Sequence, residues 1–333
     1  MPANLPPQYV KIEEEYRRER EPRRRLELLQ MMLREIPKHK GTDHLQGELK
    51  SKISKLKAEI ESPKKAGASR LHPLDHIPRE GAGQIVLIGP ANSGKSSIVG
   101  ALSHAPVEIA EWPFATRKPV PGMAAWENVK LQLVDTPSIA EGYCENYVFN
   151  IARTGDVVGL VVSLADDDVI AHYEYVVKRV HEGKVRLGGL AKPDDELPTA
   201  VEKRTIVAAT GCDNPGAATR LELLEEIIGS QAPLVTLSIP QRRGLDHFLE
   251  TAFKALGLLR VYTKAPGQKP DLRDPVLLPH GGTVAHAARA IHKEIAEKLL
   301  HARLWSAENK AMQGVRVPAD HTLQEGDVIE FHV

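Results

Sequence analysis

Residues 89–97 read GPANSGKSS and fit the pattern G-x-x-x-x-G-K-[ST]. Four apolar residues, Ile85 to Ile88, precede Gly89, and Ser96-Ser97-Ile98-Val99 opens a helical pattern expected to run from Lys95 to His104. A strand, a glycine-bounded loop and a helix start are the context this motif needs in order to hold phosphate. A loop with glycines at both ends can wrap backbone N–H groups around an anion, and the helix N-terminus adds partial positive charge. Gly89, Pro90, Ala91, Asn92, Ser93, Gly94, Lys95, Ser96 and Ser97 are therefore the expected phosphate cradle. Lys95 would reach the outer phosphates, and the Ser96 hydroxyl is placed to hold Mg²⁺. Asp135 closes the apolar run VKLQLVD, where a second Mg²⁺ partner would sit.

Outward from this loop, QIVLIG, VKLQLVD (129–135), VVGLVVSL (157–164), RTIVAAT (204–210) and PLVTLSI (233–239) alternate with helical stretches. That alternation predicts a doubly wound α/β domain with a mostly parallel sheet over 84–262. Upstream, residues 10–62 read as two helices. Leu26, Leu29, Met32, Leu33 and Ile36 form one stripe, and Leu45, Leu49, Ile53, Leu56 and Ile60 the other. Gly41 stops the first helix, and Asp43 with Gln46 fits a capping box for the second. The pair predicts a helical hairpin within 1–62, followed by a Pro/Gly/Ser-rich linker at 63–83. Downstream, 263–333 reads as a small α+β module with short strands, one helix over 283–303 and the ending LQEGDVIEFHV.

The 333 residues suffice for two or three domains with a sizeable core. Lysine plus arginine equals aspartate plus glutamate, so no whole-chain basic field for nucleic acid exists and DNA is not indicated. Cys144 and Cys212 lack metal-ligand spacing and read as reduced thiols. The polar N-terminus has no secretory pattern, and no apolar run is long enough for a membrane helix. A cytoplasmic protein without membrane contact is expected.

The segments WPFATRKPVPG (112–122) and LVDTPSIAEG (133–142) resemble the two switches of the Obg-related GTPases. Trp112, Pro113, Phe114, Thr116, Pro119 and Gly122 fit the first, and Asp135, Pro137, Ile139, Glu141 and Gly142 the second. Within that family the chain is most similar to the developmentally regulated GTP-binding protein (DRG) branch. The helical segment KHKGTDHLQGELKSKISKLKAEI and the tail from YTKAPGQKP to the C-terminus carry that likeness. The tail resembles a TGS domain, a ubiquitin-like β-grasp module. The resemblance implies a P-loop GTPase with an N-terminal helical hairpin and a C-terminal TGS domain, binding GTP and GDP with Mg²⁺ and hydrolysing slowly. It further implies that Thr116 completes the Mg²⁺ shell, that the Ser138 backbone senses the γ-phosphate, and that the partner is a ribosome or RNA, with a protein regulator as a further class. Catalytic roles would fall on Lys95, Thr116 and Ser138, and metal contacts on Ser96, Thr116 and Asp135.

The sequence departs from the family pattern at several points. Ser138 replaces a switch glycine that permits wider backbone angles. No glutamine follows the second switch in the position that many GTPases use to orient water, and Ile139 occupies the neighbouring place. Some relatives instead use K⁺ held by an asparagine, for which Asn92 is the matching residue; the other reading is that Asn92 only suits the turn. The base-reading motif N-K-x-D is here Thr210-Gly211-Cys212-Asp213. Asp213 can accept both guanine donors, and Thr210 can replace part of the asparagine's bonding, but Gly211 has no stem to cover the base. Ser238 falls at the base-edge loop. Residues 165–203 leave room only for a helix and a loop where DRG proteins carry an inserted domain. His280, His286, His292 and His301 read as surface or cap residues rather than metal ligands. The run RREREPRRR (17–25) suits a solvated helix face or RNA phosphates, and nothing in the tail's sequence names a base-stacking surface. Two other functions stay open: a GTPase-fold scaffold with a degenerate site, distinguished by Ser138 and Gly211, and a P-loop ATPase, against which Asp213 argues.

Overall fold

The computed structural model describes residues 7–19, 22–36, 46, 49–53, 77–106, 118–141, 144–190 and 199–333, in two compact units divided at His72/Pro73. In the first unit, helices α1 (Pro7–Arg18) and α2 (Pro22–Glu35) precede a further helical stretch at 49–53. The stretch read as the first of two helices over 10–62 is thus itself divided into two. The break follows from Pro22, which lacks an N–H and suits the first turn of a new helix. Leu29, Met32 and Ile36 meet Leu49 and Tyr9 in one cluster, so the two apolar stripes do face each other. Two residues of the basic run are engaged internally. Arg24 pairs with Glu15 and Glu27, and Arg25 donates to the Tyr16 hydroxyl and lies over its ring. The Asp43 cap and Leu45, Leu56 and Ile60 fall outside the described residues.

The second unit contains two sheets. The larger has seven strands in the order β2-β3-β1-β4-β6-β5, with β7 also on β6. They are β1 (Gln84–Ile88), β2 (Val120–Trp126), β3 (Val129–Asp135), β4 (Val157–Ser163), β5 (Val185–Leu187), β6 (Val201–Thr210) and β7 (Leu234–Leu237). Only β2 runs antiparallel. Every residue of β1 is buried, as expected of a central parallel strand covered on both faces. Helices α4 (Asn146–Thr154), α5 (Val169–Glu182) and α6 (Ala217–Ile228) cover one face, and α3 (Lys95–Leu102) and α7 (Leu245–Leu256) the other. This is the expected doubly wound architecture. Two strands were not legible. β2 carries Pro121 and Gly122, which are tolerated because it is an edge strand. β5 is three residues long and takes its form from pairing with β6, so 165–203 holds a strand besides its helix.

The second sheet has five strands in the order β11-β10-β12-β8-β9. Its first strand, β8 (Leu258–Thr263), is the tail of the run assigned above to the larger domain. β9 (Asp271–Pro279), β10 (His301–Trp305), β11 (Gln313–Val317) and β12 (Val328–His332) complete it. The single helix expected over 283–303 is instead α8 (Val284–Ile291) and α9 (Lys293–Lys298), broken at His292 with an extended backbone. Residues 301–305 go to β10 because Ala302 and Leu304 fill the core under α8.

Arg260 of β8 joins the two sheets. Its guanidinium pairs with Glu127 and with Glu325, donates to Asn128 Oδ1 at 3.1 Å, and lies over the Trp126 and Phe253 rings. Asn128, in the β2–β3 turn, also donates to the Tyr262 hydroxyl at 2.7 Å and to the Leu272 carbonyl at 2.9 Å. Truncation strands two carboxylates and uncovers two rings. Arg260→Ala should therefore lower unfolding stability by about 1–3 kcal/mol. Chemical denaturation measures this; an unchanged midpoint would show that other contacts hold the junction.

Candidate functional site

The site lies where β1, β3, β6 and β7 end, the edge at which open α/β sheets bind ligands. Between Ile88 and α3, the loop 89–94 turns back on itself through Asn92, at φ 57°, and Gly94, at φ 93°. Gly94 is the N-cap of α3 and offers no side-chain cap to its first turn. A Cβ there would also meet Thr210 Cγ2 at 3.0 Å. Glycine is required for both reasons.

Lys95 is 4% exposed and folds over the loop. Its ammonium donates to the Pro90 carbonyl at 2.7 Å, the Gly89 carbonyl at 3.2 Å, Ser93 Oγ at 3.2 Å and Ser138 Oγ at 3.4 Å. Burial pulls its pKa down to about 8, against the attraction of Asp135. An anion entering the loop would favour the charged form. Ser96 Oγ donates to Asp135 Oδ2 at 2.6 Å, and Asp135 is fully buried. The hydroxyl and the carboxylate expected to share Mg²⁺ therefore touch each other. Ser97 is half-buried on α3, as is Ala91 in the loop, whereas Pro90 is buried.

The segment after Asp135 is fastened to the loop. The Ile139 N–H donates to the Gly89 carbonyl at 3.0 Å, and Thr136 Oγ1 donates to the Leu87 carbonyl at 2.7 Å. The Ile139 side chain is fully buried in the core beside Val86 and Ile88, so it points no polar group at a water. Ser138 does not adopt a positive φ, so serine bears no left-handed strain here. Thr116 and Gly142 fall outside the described residues.

Thr210 closes the loop from the side of β6. Its hydroxyl donates to the Ser93 carbonyl at 2.7 Å and lies 3.2 Å from the Val162 carbonyl. Gly211 follows at φ 71°, a conformation that a lysine would resist. Asp213 is exposed at the rim. Ser238 is fully buried, and its backbone exchanges two hydrogen bonds with Arg243, which clip the loop 239–242. Arg243 was not singled out from sequence. Its Nη2 lies 3.0 Å from Cys212 Sγ, a contact made across two loops that no local pattern announces.

Away from this edge, His286 and Thr283 form the capping box of α8, and His292 caps α9. His301 stacks on His332. Among the described residues no group of three or more His, Cys, Asp or Glu could hold a metal, and no helix is long and apolar enough to cross a membrane.

The Gly94–Thr210 contact makes a test of this geometry. Thr210→Val should cost about 1 kcal/mol by leaving the Ser93 carbonyl unpaired. Gly94→Ala should cost about 1–3 kcal/mol from the contact and the left-handed backbone together. Adding Thr210→Ala to Gly94→Ala removes the clash but not the backbone strain, so it should restore stability only in part. Thermal melts of the variants decide; full restoration would mean the backbone strain is negligible.

Residues 84–187 match the family described as 50S ribosome-binding GTPase, and residues 259–333 match the TGS domain family. The mouse developmentally-regulated GTP-binding protein 2 is 26% identical over 346 residues, covering 88% of this chain and 94% of that protein. GTP-binding protein 1 of Schizosaccharomyces pombe is 22% identical over 356 residues, covering 92% of this chain and 97% of its own. The solved structure of the S. pombe YchF GTPase shares the fold, with a TM-score of 0.50 at 13% identity over 77% of this chain and 99% of that one. The chain is a homologue of the DRG-type GTP-binding proteins, carrying a P-loop GTPase domain followed by a C-terminal TGS domain.

Proposed function

We propose that this protein is a Mg²⁺-dependent GTP-binding switch that hydrolyses GTP slowly and acts on a ribosomal or RNA partner. The observation that carries the reading is the convergence on one loop of the Lys95 ammonium, the Ser96–Asp135 pair at 2.6 Å and the Thr210 hydroxyl. They come from the start of α3 and the ends of β3 and β6, and together they offer a cation, a hard oxygen pair and a braced backbone. Backbone N–H groups at the start of α3 would bind phosphate oxygens. Lys95 would leave the loop carbonyls for the outer phosphates, an exchange of like for like within a buried site. The oxygen donors of Ser96 and Asp135 suit Mg²⁺, which takes one or two carboxylates and keeps the rest of its shell for phosphate and water. When bound, it would neutralise charge on the phosphates. Thr116 would approach from the first switch.

Guanine recognition rests on Asp213, whose carboxylate matches the paired N–H donors of guanine and finds no such pair on adenine. Thr210 supports the phosphate loop rather than the base. With Gly211 in the lysine position, affinity should be modest. With Ile139 buried, water must be oriented by the backbone of the two switches, which accounts for a slow rate. Asn92, held in the left-handed region inside the loop, is the residue to which a K⁺ ion would bind. The buried Ile139 and the missing base cover also support a second reading, a GTPase-fold scaffold with little turnover.

Displacement of a fluorescent GDP in Mg²⁺ buffer tests the reading. GTP should compete and ATP should fail, Asp213→Asn should weaken GTP at least about tenfold, and single-turnover hydrolysis should be faster in K⁺ than in Na⁺ only while Asn92 is present. Equal competition by ATP would overturn guanine selection. Failure of both nucleotides at millimolar concentration would leave the scaffold reading.

A further inference from the structure

Hydroxyls around the phosphate loop donate to protein oxygens. Ser93 Oγ donates to the Pro90 carbonyl at 3.0 Å, Ser96 Oγ to Asp135 at 2.6 Å, Thr136 Oγ1 to the Leu87 carbonyl at 2.7 Å and Thr210 Oγ1 to the Ser93 carbonyl at 2.7 Å. Ser138 differs. Its Oγ accepts from the Lys95 ammonium at 3.4 Å, and among the described residues it donates to nothing. The residue is only 7% exposed. A buried hydroxyl that only accepts keeps its own proton unspent, whereas buried donors are ordinarily paired.

The neighbours of Ser138 have nothing left to offer a ligand there. Thr136 spends its hydroxyl on Leu87, Pro137 has no N–H, and Ile139 gives its N–H to the Gly89 carbonyl and its side chain to the core. Within 136–139 the Ser138 hydroxyl is thus the side-chain group that reaches the ammonium. At 3.4 Å this contact is the longest that the ammonium makes, the others lying at 2.7, 3.2 and 3.2 Å. It exceeds the usual span of an N–H···O bond, so it is the first to be given up when an anion draws the ammonium away. Backbone strain does not account for the residue either. Ser138 has no positive φ, so the wider angles that glycine permits are not used here. What serine adds to the position is a Cβ and its hydroxyl.

We infer that the Ser138 hydroxyl is a binding group for the outermost phosphate of a nucleoside triphosphate, donating its proton to a phosphate oxygen beside Lys95 and so favouring the triphosphate over the diphosphate. The inference rests on the GTP-binding reading above and gives it a residue that tells the two nucleotides apart. An ammonium and a hydroxyl that both donate, one of them charged, select an oxyanion over a cation. The other acceptors of the ammonium, at Gly89, Pro90 and Ser93, belong to the loop itself, and Ser138 comes from the segment after β3. A phosphate held by the lysine, which meets the outer phosphates in P-loop proteins, is therefore met from a second direction by Ser138. A diphosphate lacks the group that lies furthest out. Where the family pattern has glycine, this position offers only a backbone N–H, so the hydroxyl is a property of this chain rather than of the pattern.

The test uses the full chain in Mg²⁺ buffer, with a fluorescent GDP displaced by unlabelled GDP and by a non-hydrolysable GTP analogue. Ser138→Ala should weaken the analogue about tenfold and leave GDP within about twofold, because the lost hydrogen bond falls on the phosphate that only the analogue carries. Ser138→Gly should match Ser138→Ala. Ser138→Thr, which keeps a hydroxyl, should hold the analogue nearer to wild type than either. The GDP affinity of each variant reports whether its loop is intact. An unchanged ratio of the two affinities in Ser138→Ala would overturn the inference. A rise in both affinities would do so as well, since Ser138 would then only restrain Lys95. Tighter analogue binding by Ser138→Gly would show that backbone freedom, not the hydroxyl, decides. A Ser138→Thr that loses the analogue as fully as Ser138→Ala, with GDP unaffected, would count against the hydroxyl too. Failure of wild type to bind either nucleotide removes this inference together with the switch. Binding of both with the ratio unmoved by Ser138→Ala removes this inference alone.

Discussion

The Ser93 carbonyl accepts the Thr210 hydroxyl at 2.7 Å, and the Gly89 carbonyl accepts the Ile139 N–H at 3.0 Å. These two bonds fix a loop that has no regular structure of its own to the ends of β6 and β3. Backbone groups in a buried loop need partners, and a loop that must keep its N–H groups for an anion can spend only its carbonyls on the scaffold. Here the carbonyls face the protein and the start of α3 faces the site. The rest of the arrangement follows from that division. Gly94 is needed because Thr210 lies against it, Lys95 is buried because it covers the same carbonyls, and Ser96 is turned to Asp135.

The departure at 210–213 takes on a structural meaning in this light. Thr210 keeps the scaffold half of the work usually done by asparagine, bracing the phosphate loop, and Asp213 keeps a carboxylate at the rim. What is lost is the side chain at 211, and the backbone there is left-handed. The loop's support is kept in Thr210, whose hydroxyl holds the Ser93 carbonyl. In the proposed function, discrimination between bases would rest on the exposed Asp213.

Much of the fold was legible because buried parallel strands write themselves as apolar runs, as β1, β4 and the second half of β6 do, while β3 is apolar at all but Lys130, Gln132 and its closing Asp135. The phosphate loop was legible because its spacing is local. β2 was not, since an edge strand bearing Pro121 and Gly122 has neither a continuous apolar run nor clean alternation. The break at His292 and the turn of 301–305 into β10 were hidden because the helical pattern continues through them, and only pairing with β12 and β11 overrides it. The same reason hid the stacking of His301 on His332. Cross-strand neighbours are set by register, and register is not a local property of either strand.

The β2–β3 hairpin connects the two halves of the second unit in one rigid element. At one end Val120 pairs with Asp135, which holds Ser96; at the other Trp126 pairs with Val129, beside the turn that grips Arg260 and Tyr262. At the edge of the sheet the full β2–β3 ladder holds its register firmly, because a slip by one residue would turn every side chain to the wrong face. Leu131 and Leu133 are fully buried, so such a slip would expose core. A shift of Asp135 along the strand axis would therefore have to carry β1 with it, since Leu87 pairs with Asp135, as well as the β2 edge that leads to the contacts around Arg260.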